Sequence, residues 1–254
     1  MSFLVDHPIL TFVVTVVVLW VSSRFGAALR IRRSDMVEEE RGDYGVLLTS
    51  MLTLLGLIIG FSFSMASSRY DQRKNLEEEE ANAIGTEYVR ADLLPADTAE
   101  KVRALLRSYL DQRISFYTIH SGDQLRQINA TTAKLQAELW NTVKAPAGTD
   151  RSAVEALAVS GMNDVLNSQG YTQAAWWNRI PIGSWGLMWA IAVCCNVMIG
   201  FYIRPKDPKN IQFIMPIVIA VAFLLMADID SPRRGIITVH PQNLLSLADS
   251  LNPH

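Results

Sequence analysis

Cysteine is almost missing from this sequence. The two present, Cys194 and Cys195, are adjacent and lie inside an apolar run. Neighbouring cysteines rarely bridge each other, which excludes a disulfide framework and a cysteine metal site. An excess of either charge is missing too: 23 Lys and Arg stand against 25 Asp and Glu. The resulting net charge of −2 carries no nucleic-acid footprint. The four histidines, His7, His120, His240 and His254, share no ligand-like spacing. There is no H-E-x-x-H, no glycine-rich phosphate loop and no nucleophile elbow, so nothing argues for an enzyme or a cofactor. Strand signal is slight throughout. No basic residue precedes the first apolar run, and no small-x-small cleavage site follows it. That run is expected to be a retained membrane helix and not a signal peptide.

Apolar residues are half of the chain and concentrate at its two ends. This distribution predicts a membrane protein with a polar middle. Four runs are long and apolar enough to span a bilayer: residues 8–29, 45–67, 184–203 and 211–227. The sequence divides accordingly into spans one and two (1–67), an extramembrane helical domain (68–179), spans three and four (180–228) and a polar tail (229–254). The fold class expected is all-α, with a helical bundle inserted between membrane helices 2 and 3. Trp176, Trp177, Trp185 and Trp189 mark the return to the membrane, where tryptophan suits the headgroup zone.

The chain is organised around 45–94. GVLLTSMLTLLGLIIGFSFSMASSRY runs without proline or turn cluster into DQRKNLEEEEANAIGTEYVRADLL and stops at Pro95. One helix of about 75 Å would exceed the bilayer and continue outside it. In the middle region, Asp97 and Glu100 resemble an N-cap with its capping-box partner. Val102, Leu106, Tyr109, Leu110, Ile114 and Tyr117 then form a helical stripe, and Leu125, Ile128, Leu135, Leu139 and Val143 a second. The segment 144–150, KAPAGTD, reads as a loop. Val154, Leu157, Ala158, Gly161, Val165 and Leu166 make a third stripe, expected to end near Gly170.

Thr53, Leu57, Phe61, Ser64 and Ser68 recur at three- and four-residue spacing and share one face of the second span. Ringed about an axis by several copies, Leu57 and Phe61 become apolar constrictions and Thr53, Ser64 and Ser68 hydroxyl rings, a channel lining. The alternative is helix packing, since small residues on membrane helices, including the Gly56/Gly60 pair, let helices approach closely. Arg69 and Arg73 follow as pore-mouth charges or, with Glu77 to Glu80, as a solvated face of i,i+4 pairs. Asp228 and Asp230 end the fourth span beside Arg233 and Arg234, either a functional cluster of ionisable groups at the membrane boundary or an ordinary salt-bridged helix end.

LLGLIIGFSFSMASSRYDQRKNLEEEEANAIGTEYVRADLL resembles the neck helix of the bestrophins, particularly the bestrophin-like membrane proteins of bacteria. Gly60-Phe61 and the basic–aromatic pair at Arg69 keep its spacing. RIPIGSWGLMW resembles the start of that family's third span, and ADIDSPRRGIITVHPQNLLSLADSL the segment after its last. The resemblance implies a homo-oligomer, pentameric in bestrophins, with the second helix lining a path for inorganic ions and Thr53, Leu57 and Phe61 at the neck. Its partners are then itself and the lipid bilayer, and its location a bacterial inner membrane. Ser231-Pro232-Arg233-Arg234-Gly235 departs from the family's Asn-Pro-Phe-Gly type turn, and the acidic calcium cluster of animal bestrophins is missing, so no metal site carries over. Loop charges disagree with the family's orientation. Arg24, Arg30, Arg32, Arg33 and Arg41 put the first loop in the cytosol by the positive-inside rule, whereas bestrophins keep their helical domain there. The rival to a channel is a non-conducting membrane-anchored scaffold or sensor, with the Thr53–Ser68 face buried between helices of one subunit.

Overall fold

A computed structural model describes residues 7–31, 38–147, 153–202 and 211–251. Helix α1 spans Pro8–Ile31, α2 Glu38–Arg90, α3 Ala96–Thr118, α4 Gly122–Ala147 and α5 Ala153–Trp177. Helix α6 spans Ile182–Tyr202, α7 Ile211–Asp230 and α8 Gln242–Leu251. Among the described residues there is no strand. Four helical stretches are long and apolar enough to cross a membrane. They lie within Pro8–Arg30, Gly42–Leu93, Glu155–Tyr202 and Gln212–Asp230.

The described residues fall into two compact units. One is formed within Met1–Arg69 and Arg179–Thr238. In it α1 packs on both α6 and α7. The sequence explains the closeness. On α1, Thr11, Thr15, Leu19, Ser22, Ser23 and Gly26 recur at helical spacing and are buried. Two of these hydroxyls are satisfied within the helix: Thr15 donates to the Thr11 carbonyl at 2.6 Å, and Ser22 to that of Val18 at 2.8 Å. Gly26 lies against the Val197 carbonyl and Gly200 against that of Ser23, where a Cβ on either glycine would collide with backbone. Small residues thus replace side-chain bulk at the crossing, as membrane helices require when no hydrophobic effect drives them together. Gly56 and Gly60 have no such role within the chain, because a Cβ on either would meet nothing.

Trp185 is buried and meets the Phe223 ring edge-on at 5.7 Å; Trp189 approaches the same ring at 5.6 Å. These two tryptophans pack between α6 and α7, whereas Trp177 of the same cluster is exposed. Pro216 is accommodated inside α7.

The second unit is formed within Tyr70–Asn178 and Val239–His254. Val102, Leu106, Tyr109, Leu110 and Tyr117 of α3 are buried, with Ile114 partly so. Ile128, Leu139 and Val143 of α4 and Ala158, Met162 and Val165 of α5 complete the core. Several local expectations change. α3 begins at Ala96 behind Pro95, with no side-chain cap, so Asp97 lies in the first turn instead of capping it. Helix α4 runs through Lys144, Ala145 and Pro146 to Ala147, four residues into the expected loop; 148–152 lie outside the described residues. α5 continues past Gly170 to Trp177, and Leu157 points outward. Trp176 is buried among Phe116 and Tyr117, with ring centroids 4.9 and 5.4 Å away, and is a core residue of this unit. The small apolar patch of the otherwise polar tail also packs here: Leu244 is fully buried, and Leu247, Ala248 and Leu251 pack on the core.

Candidate functional site

The residues singled out on α2 lie on an uncovered side of that helix. Thr53, Leu57, Phe61, Ser64 and Ser68 are all exposed, Leu57 by 54% and Phe61 by 66%. Gly56 and Gly60 open on empty space beside them. The opposite side of the helix, at Leu55, Ser62 and Ala66, is buried. Among the described residues, no other helix of the same chain fills this face. Thr53 donates its hydroxyl proton to the Thr49 carbonyl at 2.9 Å, which leaves the oxygen lone pairs as its outward polar feature.

Arg69 and Arg73 do not share this face. Arg69 Nη1 lies 3.8 Å from Asp230 Oδ1, with its side chain only 14% exposed. Asp230 also accepts the Ile180 amide at 3.0 Å and so ties the chain before α6 to the end of α7. Arg73 is buried. Within the chain both side chains are thus turned away from the Thr53–Ser68 face. Asp228 accepts the Ile236 and Ile237 amides at 2.7 and 2.8 Å, so these two acids at the end of α7 anchor backbone.

The acidic run of α2 is the feature sequence reasoning misread most. Glu78 and Glu79 are exposed, but Glu77, Glu80 and Glu87 are buried. Their spacing, shared with buried Ile84, is helical and was the available signal. Glu77 accepts the amides of Asn243 and Leu244, both at 2.9 Å, and the Asn243 side-chain amide at 2.6 Å. It thereby caps the positive end of α8. Arg113 Nε donates to Glu80 Oε1, and Tyr117 and Thr172 donate to Oε2 at 3.4 and 3.3 Å. The Arg113 guanidinium also sits 4.4 Å over the Phe116 ring. Burial first, and the Glu80 charge second, push the Tyr109 and Tyr117 phenols above their ordinary range.

Glu87 is fully buried against Gly161, where a Cβ would strike its carboxylate, and neither oxygen has a hydrogen-bond partner among the described residues. Burial, opposed by Arg90 and reinforced by Asp164, pushes this carboxyl from 4.5 up to about 8. The folded protein then holds a proton that the unfolded chain releases near 4.5. Its stabilising contribution is complete below 4.5, declines as the pH rises, and is lost above about 8. Thermal unfolding of the purified protein should show this decline, and Glu87→Gln should flatten it.

The fold and the uncovered helix together define an integral membrane protein built on four apolar helices, of the class that includes bacterial bestrophin homologues. The solved bacterial bestrophin homologue from Klebsiella pneumoniae matches with a TM-score of 0.65 at 13% identity, over 96% of each chain. Two mutants of it match with TM-scores of 0.65 and 0.63, also at 13% identity, over 96% of this chain and 93% and 96% of theirs. At that identity the likeness concerns the fold. A search of curated protein sequences gives no match. The family model of the Bestrophin-like domain matches residues 9–244, and the chain belongs to that family.

Proposed function

We propose that this protein is the subunit of a homo-oligomeric ion channel of a bacterial inner membrane, with α2 lining the pathway. The observation that carries this reading is the uncovered α2 face. A membrane helix with two bulky apolar groups and three hydroxyls, left open by its own chain, is suited to meeting an axis shared with other copies. In a ring of subunits, pentameric by the family resemblance, Leu57 and Phe61 form the narrow apolar constrictions. Thr53, Ser64 and Ser68 offer oxygen atoms to passing inorganic ions on either side of them. The second unit is the extramembrane bundle, inserted between the second and third membrane helices. Arg69 and Arg73 are left out of this lining, because within the chain Arg69 faces Asp230 and Arg73 is buried.

The scaffold alternative required the Thr53–Ser68 face to be buried between helices of one subunit. Its exposure within the chain favours the channel. Two measurements test the proposal together. Light scattering, after subtraction of detergent mass, should give an oligomer, and purified protein in liposomes should conduct ions. A monomer at every workable concentration would overturn the reading.

A further inference from the structure

One apolar groove of the first unit is unrelated to the α2 face. It has a volume of about 440 Å³, within the range of small-molecule sites. Ile9, Leu10 and Val13 from the start of α1 form one wall, and Leu224 and Ile236 form the other. Ile9 and Ile236 are 72% and 88% exposed, extreme values for side chains of this size. The groove does not end in water along its length. From Val13 the exposed face of α1 continues through Val17 and Val21, and from Leu224 that of α7 continues back through Val221, Ile217 and Ile214. At the far end of these faces Trp20 stacks on Phe213 at 6.1 Å. A groove continuous with apolar helix surface of this kind is open to an acyl chain.

Its polar end has a definite chemistry. Arg234 is exposed there, with Nη1 2.8 Å from His7 Nε2. The one acidic group lining the groove, Asp228, has each oxygen engaged by a backbone amide of the 236–237 segment. Gly235 is pressed against the Asp228 carbonyl, where a Cβ would collide. This fixed return of the chain holds Arg234 at the mouth. No ion pair to Arg234 exists among the described residues, so its charge faces outward beside an imidazole. A planar guanidinium can grip a phosphate with two hydrogen bonds. Basic pockets at the ends of membrane helices take lipid headgroups on this principle.

From these features we infer that the α1–α7 groove binds one anionic phospholipid, an acyl chain lying along Leu10, Val13 and Leu224 and the phosphate held by Arg234 with His7. The test is native mass spectrometry of the full-length protein purified in detergent and offered equal amounts of phosphatidylglycerol and phosphatidylcholine. The wild type should retain the anionic lipid preferentially. Arg234→Gln should reduce that retention about tenfold, the loss of one charge-assisted contact, and leave the phosphatidylcholine signal and subunit number unchanged. Val13→Trp, which fills the groove and keeps the charge, should reduce retention as strongly. Unchanged phosphatidylglycerol retention in both variants would overturn the assignment. So would displacement of the lipid by millimolar inorganic phosphate together with full retention in Val13→Trp, which would describe an anion site without a chain. A change in subunit number in Arg234→Gln with lipid retention intact would make the groove a contact between copies, and would overturn it equally.

Discussion

In liposomes, the combined substitution Leu57→Ala and Phe61→Ala should raise ion flux about tenfold over the wild type, a barrier lowered by about 1.4 kcal/mol. The two side chains are one helical turn apart on the uncovered face of α2 and are more than half exposed within their own chain. If they form the narrowest apolar rings, truncation widens the path and eases its wetting. If they are instead buried between subunits as packing, truncation removes two large contacts and weakens the oligomer by several kcal/mol, with flux unchanged or lost. Flux and subunit number must therefore be read from the same preparation. Ile59→Ala lies on the opposite side of α2 from Leu57 and Phe61 and should leave flux near the wild-type level. Should the wild type and the double variant both remain assembled and conduct nothing, the channel reading gives way to the scaffold.

The second large effect is on stability. Glu80→Ala should destabilise the protein by about 3–5 kcal/mol, the usual consequence of stranding one member of a buried ion pair. Arg113 and Glu80 are both fully buried, and the substitution leaves the guanidinium without its counter-charge. Tyr117 and Thr172 lose an acceptor at the same time. Replacing both ions with apolar residues, Glu80→Met with Arg113→Leu, should recover most of the loss, because it removes the stranded charge along with its partner. Thermal unfolding in detergent of the two variants and of Arg113→Leu alone closes the comparison. Equal melting of Glu80→Ala and the wild type would mean that water reaches the pair.

Periodicity made the helices of this chain legible. Val102, Leu106, Tyr109 and Leu110 announce a buried helix face by spacing alone, and they form one. The same logic placed Thr53, Leu57, Phe61, Ser64 and Ser68 on one side of α2. What periodicity does not carry is the identity of the neighbour. Trp185 fits the composition of a headgroup belt, yet its indole lies against Phe223, a residue 38 positions later in an apolar run with no feature of its own. Glu77 and Glu80 belong to an acidic run that looks solvated, because charge gives the cost of burial and not the partner that offsets it. Those partners, the amides of α8 and the guanidinium of α3, are distant in sequence. Gly56 and Gly60 have the spacing of a close helix crossing, whereas the crossing within the chain uses Gly26 and Gly200, each pressed to a carbonyl of the other helix. A pair on two separate helices leaves no motif.

The Glu77 cap also orders events during synthesis. Helix α8 has ten residues, too few to hold a helix in water unaided. Its first amides are satisfied by a carboxylate 166 residues earlier, and its Leu244 is wholly enclosed. α8 can therefore form only on a surface already assembled from α2 and α3. The ribosome releases it after every other helix described here, so its docking closes the second unit last. A chain interrupted before Gln242 would leave the Glu77 carboxylate without its amides and the Leu244 socket open.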